Sequence, residues 1–218
     1  MPIDTLKNDE NQESGKLLFP SGFLWGAATS AHQVEGGNLN NWSEWEMKNA
    51  ERLAGDAQSK WQDWQQAKFP EMFDPQNYVS GRACDHYNRY EEDFNLAKSL
   101  GHNAHRFSIE WSRIEPEEGQ FSEEAIEHYR KVILAIKSRG MEPFVTLWHW
   151  TNPLWLEKAG GCESRKFAFY FVRYSEFVVK KLGAHVQFWI TLNEPTSVIA
   201  NAYWRGLWPP EKKSLMAA

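Results

Sequence analysis

The chain has 218 residues, of which 42% are apolar and 24% charged, and its formal net charge is -5. That balance belongs to one folded globular domain and excludes a disordered tail, and a mildly acidic surface offers no basic field for nucleic acid. Residues 1–16 are polar and read as a flexible leader without an apolar signal core, no apolar run is long enough to span a membrane, and Cys84 and Cys162 lack zinc-site spacing. The expectation is a cytoplasmic protein with reduced thiols, no metal, no cofactor and no membrane or nucleic-acid partner.

The first strand is expected over residues 23–28 (FLWGAA), followed by a long, irregular, tryptophan-rich stretch over 35–84. A helix is predicted over 85–100, because Tyr87, Tyr90, Phe94, Ala97 and Leu100 recur at helical spacing and Gly101 follows as a stop. The second strand is expected over 104–109. The next helix runs from 122 to 139, opening on Glu123 and Glu124 and closing on Lys137, Arg139 and Gly140, charges that suit the helix dipole. A third strand over 143–147 leads to a helix over 164–182 that buries Phe167, Phe171, Tyr174, Val178 and Leu182. A fourth strand covers 186–192. Alternating strands and helices mean an α/β fold with a parallel sheet and right-handed crossovers. A doubly wound sheet and a (β/α)8 barrel both fit, while the lack of a G-x-G-x-x-G after the first strand argues against dinucleotide binding.

Polar chemistry gathers at the same end of every strand. The first runs into His32-Gln33-Val34-Glu35, the second carries Arg106 and ends at Glu110-Trp111-Ser112-Arg113, the third ends at Trp148-His149-Trp150, and the fourth at Asn193-Glu194-Pro195. In a barrel that end holds the active site. Twelve tryptophans are several times ordinary usage, and an indole is the natural platform for the apolar face of a sugar ring. Cleaving a glycosidic bond needs a carboxylic acid to protonate the leaving oxygen and a second carboxylate to trap or stabilise the cationic centre. Glu194 is the best candidate for the acid. Strict alternation sends Asn193 and Glu194 to opposite faces, so the strand must bulge or end there.

These residues resemble glycoside hydrolase family 1, the β-glucosidase and β-galactosidase family. The stretch FLWGAATSAHQVEG (23–36) is similar to that family's N-terminal signature, and HRFSIEWSRIEP (105–116), LWHWTNPLW (147–155) and ITLNEP (190–195) resemble its next three strand ends in order. The resemblance covers about residues 17–210 and implies the first half of a (β/α)8 TIM barrel, about four βα units. It also implies a retaining β-glycosidase acting on terminal β-linked sugars or oligosaccharides. Carried over, Glu194 is the acid/base, Arg106 supports the nucleophile, and Gln33, His149, Trp150 and Asn193 bind the sugar. Glu35, Glu110 and Arg113 match less specific positions and are expected to support the site through ion pairs.

The departures are as informative. Family members usually run to about twice this length, and their nucleophile is a glutamate on strand seven. Only Glu211 is acidic after Glu194 here, and Thr151-Asn152 replaces the commoner Asp-Leu. The expectation is a half-barrel without its nucleophile, inactive alone, that pairs with a C-terminal half or self-associates. A non-catalytic carbohydrate-binding protein and a half-barrel assembly protein keep the same residues.

Overall fold

The computed structural model describes residues 18–214; the expected leader, residues 1–16, lies outside them. In chain order the elements are β1 (Gly26–Ala28), α1 (Ala31–Val34), α2 (Asn41–Lys60), α3 (Asp63–Lys68), α4 (His86–Ser99), β2 (Ala104–Ser108) and α5 (Trp111–Ile114). They continue as α6 (Glu123–Ser138), β3 (Glu142–Trp148), α7 (Leu154–Lys158), α8 (Phe167–Leu182), β4 (Phe188–Leu192) and α9 (Pro195–Val198). The four strands form one parallel sheet in the order β1-β2-β3-β4. Sequential order without reversal is the arrangement of a barrel wall and excludes the doubly wound alternative.

Helix α6 shows why the sequence folds this way. Ser122 caps it by accepting the Ala125 N–H at 3.1 Å, as a hydroxyl before a helix does. Ile126, Tyr129, Val132, Ile133 and Ile136 fall on one stripe and are buried, each contributing about 1.5–3 kcal/mol of burial. They pack with Phe107, Val145 and Leu147 of β2 and β3 and with Tyr174, Val178 and Leu182 of α8 in one hydrophobic core. Helix α8 starts at Phe167, three residues after the expected start, because a 3-10 turn occupies Gly161–Glu163. On its inner stripe Tyr170 is buried, while Phe167 and Phe171 are only partly so.

Three expectations need correction. Strand β1 is three residues long and exposed, because residues 23–25 run outside the ladder, with Phe19, Phe23 and Trp25 clustered at centroid distances of 4.5–4.8 Å. The stretch 35–84 is not irregular throughout: α2 alone spans 20 residues, opened by a reciprocal cap between Asn40 and Ser43. Its buried face is made of Glu46, Ala50, Ala54 and Ala57, too small and too polar to register as an apolar stripe. On α4, Phe94 and Ala97 are buried as expected, but Leu100 is 76% exposed.

The two faces of the sheet divide by alternation. Phe107, Val145 and Leu147 point to the helices. Arg106, Phe144 and Phe188 share a register position on the other face, where the two phenylalanine rings stack at 4.5 Å. Thr146 and Ile190 pair one step further along.

Candidate active site

The polar cluster begins with Arg106 on β2. Its Nε donates to Thr146 Oγ1 at 2.9 Å and its Nη2 to Asn193 Oδ1 at 2.6 Å. A guanidinium only donates, so it fixes the Asn193 amide with oxygen inward and nitrogen outward. That nitrogen meets His149 Nε2 at 3.2 Å, which therefore accepts and leaves the ring proton on Nδ1. His149 Nδ1 is buried and has no partner among the described residues. Burial, helped by the positive charge of Arg106 and opposed by Glu194, pushes His149 down to about 4, so the ring is neutral near pH 7. Three strands thus deliver one hydrogen-bonded unit.

Strand β4 stops at Leu192, which resolves the alternation problem. The Asn193 N–H still donates to the Trp148 carbonyl at 3.0 Å, and Glu194 then turns into the left-handed region at φ 42°, ψ 57°. The Glu194 carboxylate is exposed and accepts from the Ser197 hydroxyl at 3.1 Å. Trp150 also sits at positive φ, 76°, and its indole N–H donates to the Asn193 carbonyl at 3.0 Å. Two bulky residues held at positive φ side by side are a mark of a functional site.

Trp150 is the centre of an aromatic group. Its ring lies 4.7 Å from Trp208, 6.2 Å from Trp42 and 4.9 Å from His149. Gln33 stands apart: it is exposed, its Oε1 accepts from the Ser30 hydroxyl at 2.7 Å, and it makes no hydrogen bond to the other five predicted residues. Thr146, Trp42 and Trp208 are the participants that the sequence reading missed. Thr146 was detectable as the polar residue in the apolar strand PFVTLW; Trp42 and Trp208 come from segments with no period to place them.

Behind the cluster lies a second polar layer. Glu35 accepts from Arg113 Nε at 2.9 Å and from the Tyr129 hydroxyl at 2.8 Å, the ion pair expected of that pair. Burial raises Glu35 to about 7, with Arg113 opposing and Glu110 reinforcing the shift. Glu110 is fully buried and accepts from the Ser112 hydroxyl at 2.8 Å and the Thr151 hydroxyl at 2.9 Å. The unusual Thr151-Asn152 pair is therefore structural, since Asn152 also accepts from Trp148 Nε1 at 2.8 Å and donates to Glu157 at 2.7 Å. Cys84 and Cys162 are free. Among the described residues no group of histidine, cysteine and acidic side chains is arranged to hold a metal, and no helix is long and apolar enough to cross a membrane.

A parallel sheet in barrel order, with carboxylate, amide, imidazole and guanidinium groups gathered towards its C-terminal edge, is part of the wall of a (β/α) barrel. Residues 16–218 match glycosyl hydrolase family 1, and the chain belongs to that family. It is 35% identical over 205 residues to β-glucosidase A of Thermotoga maritima, covering 92% of this chain and 42% of the relative. A β-glycosidase from Pyrococcus horikoshii superposes with a TM-score of 0.75 at 38% identity, over 91% of this chain and 41% of its own. The Thermotoga maritima β-glucosidase in complex with deoxynojirimycin superposes with a TM-score of 0.77 at 32% identity. The chain spans about two fifths of the length of these relatives, and its fold corresponds to the first half of the family's (β/α)8 barrel.

Proposed function

We propose that this chain supplies the acid/base carboxylate and half of the sugar subsite of a retaining β-glycosidase that acts on terminal β-linked sugars. The observation that carries this reading is the Arg106–Asn193–His149 unit, with Glu194 held beside it at positive φ. The neutral imidazole ring of His149 and the free amide proton of Asn193 suit sugar hydroxyls. Trp150 offers the apolar ring face, and Gln33 a further amide. Glu194 protonates the leaving oxygen and then deprotonates the attacking water. Arg106 faces the open lumen, where a guanidinium keeps a neighbouring carboxylate ionised. The free thiols of Cys84 and Cys162 fit a reducing compartment, the cytoplasm.

A retaining mechanism needs a second carboxylate roughly 5–5.5 Å from the first. The chain's own candidates are already engaged: Glu35 with Arg113 and Tyr129, Glu110 with Ser112 and Thr151, and Glu211 with Arg52 at 2.6 Å. The 218-residue chain alone is therefore expected to release no nitrophenol from nitrophenyl β-glucoside above a Glu194→Ala control. The test of the acid/base role joins these residues to a nucleophile-bearing remainder, such as the later part of the Thermotoga maritima enzyme. There Glu194→Gln slows methyl β-glucoside far more than dinitrophenyl β-glucoside, whose leaving group departs without a proton. Equal slowing of both substrates refutes the assignment.

A further inference from the structure

Apart from the cluster just described, a cavity of about 260 Å³ lies beside His32, whose ring is 6.0 Å from Trp42. His32, Asn38, Glu46 and Ser80 supply its polar wall, and Leu39 and Met47 part of its apolar one. Three separate segments build it: α1 with the loop that follows it, the start of α2 and the turn before α4.

The hydrogen bonds fix the charge of this wall. Asn40 Oδ1 accepts the Ser43 N–H at 2.9 Å as the cap of α2, so Asn40 Nδ2 is the group that meets His32 Nδ1 at 3.2 Å. An amide nitrogen only donates, so His32 Nδ1 carries no proton and the ring is neutral, with its hydrogen on Nε2. Nε2 donates to Glu46 Oε1 at 2.9 Å. Ser80 adds its hydroxyl to Oε1 at 2.8 Å and its backbone N–H to Oε2 at 2.9 Å. Burial of Glu46 opposes ionisation, but the donors from His32 and Ser80 outweigh it and hold the carboxyl below its usual range. Glu46 is thus a largely buried carboxylate, and no lysine or arginine pairs with it among the described residues.

Asn38 adds an unmet acceptor to that unpaired charge. Its Nδ2 donates to the Ala31 carbonyl at 3.2 Å, while its Oδ1 is buried without a donor. Buried charges and acceptors are ordinarily matched; here a carboxylate without a lysine or arginine partner and an acceptor without a donor belong to residues that line one cavity. A nucleophilic reading fails on geometry. Ser80 Oγ and Glu46 Oε1 meet the same ring nitrogen of His32, so the imidazole cannot pass a proton between them as a hydrolytic triad requires.

We propose that this cavity is a binding site for a small primary alkylammonium. Its charged head donates to Glu46 and Asn38, and its hydrocarbon part lies along Leu39 and Met47. The site is separate from the sugar cluster and does not depend on the glycosidase reading.

The test is calorimetric titration of the 218-residue chain with butylammonium chloride in amine-free phosphate buffer, beside 1-butanol as the neutral isostere and potassium chloride as the bare cation. Butylammonium is expected to bind saturably at one site, with butanol weaker by about tenfold or more, the margin of a charge-assisted hydrogen bond. Glu46→Gln, checked for an unchanged far-UV spectrum, is expected to lose that preference, and Asn193→Ala to keep it. Equal binding of butanol, full binding by Glu46→Gln, loss in Asn193→Ala, or complete displacement by potassium each overturns the assignment. Should Glu46→Gln fail to fold, Asn38→Ala takes its place: weaker butylammonium binding supports the site, and unchanged binding overturns it.

Discussion

Glu194 is held in a backbone conformation that its side chain disfavours, and this can be measured without any substrate. At φ 42°, ψ 57° it occupies the left-handed region, where an ordinary L-residue loses roughly 1–2 kcal/mol and asparagine much less. Glu194→Asn and Glu194→Gln both remove the carboxylic acid, but only asparagine relieves the backbone. The one side-chain bond at stake, from Ser197 at 3.1 Å, is exposed and contributes little. Glu194→Asn is therefore expected to exceed Glu194→Gln in stability by about 1 kcal/mol, or about 2–4 °C in Tm for a chain of this size. Far-UV circular dichroism melts of wild type and the two variants at pH 7 give the comparison. If asparagine proves no more stable than glutamine, the strain argument is wrong, and positive φ at this position carries no functional meaning. If it is more stable, the acid is retained against the local preference of the chain, the usual signature of a residue kept for its chemistry.

Glu35, raised to about 7 by burial, releases its proton in the unfolded chain near the ordinary value of 4.5. Its contribution to stability is thus full at low pH and lost as pH rises to about 7, a difference of about 3 kcal/mol. Urea midpoints of wild type and Glu35→Gln should converge at low pH and separate towards pH 7, and a constant gap counts against the shift. His105 moves the opposite way: burial, with the charges of His86 and His102, lowers it to about 4. Its share of stability, about 3 kcal/mol, is present above pH 6.5 and lost as pH falls towards 4; a His105 ring that titrates near 6.5 by NMR contradicts this. Among the described residues strands β1 and β4 are open edges, and no helix covers the face carrying Phe144, Phe188 and Ile190, where Phe188 is exposed. The chain is therefore expected to sediment above 25.4 kDa at micromolar concentration and to move towards that mass with Ile190→Lys. A single 25.4 kDa species in wild type at every concentration refutes this.

How much of this was legible in the sequence follows from how local each signal is. Strands β2 to β4 and helices α4, α6 and α8 emerged with ends shifted by a few residues, because each writes its own apolar period or run into consecutive positions. The change from apolar to polar at Arg106, His149 and Asn193 was equally visible, since each lies in or just after its strand. Which face of the sheet a residue takes was not. Phe107, Val145 and Leu147 lie under the helices and are nearly fully buried, while on the other face Leu192 is 36% exposed and Phe188 37%. Only register across three strands separates the two sets, and register is a tertiary fact. Helix α2 escaped for a different reason, because its buried stripe is alanine and one glutamate. That glutamate is also the anion of the cavity beside His32. A carboxylate on the inner face of an otherwise small-residue helix both hides the helix from a periodicity reading and supplies the charge that the cavity has left unmatched.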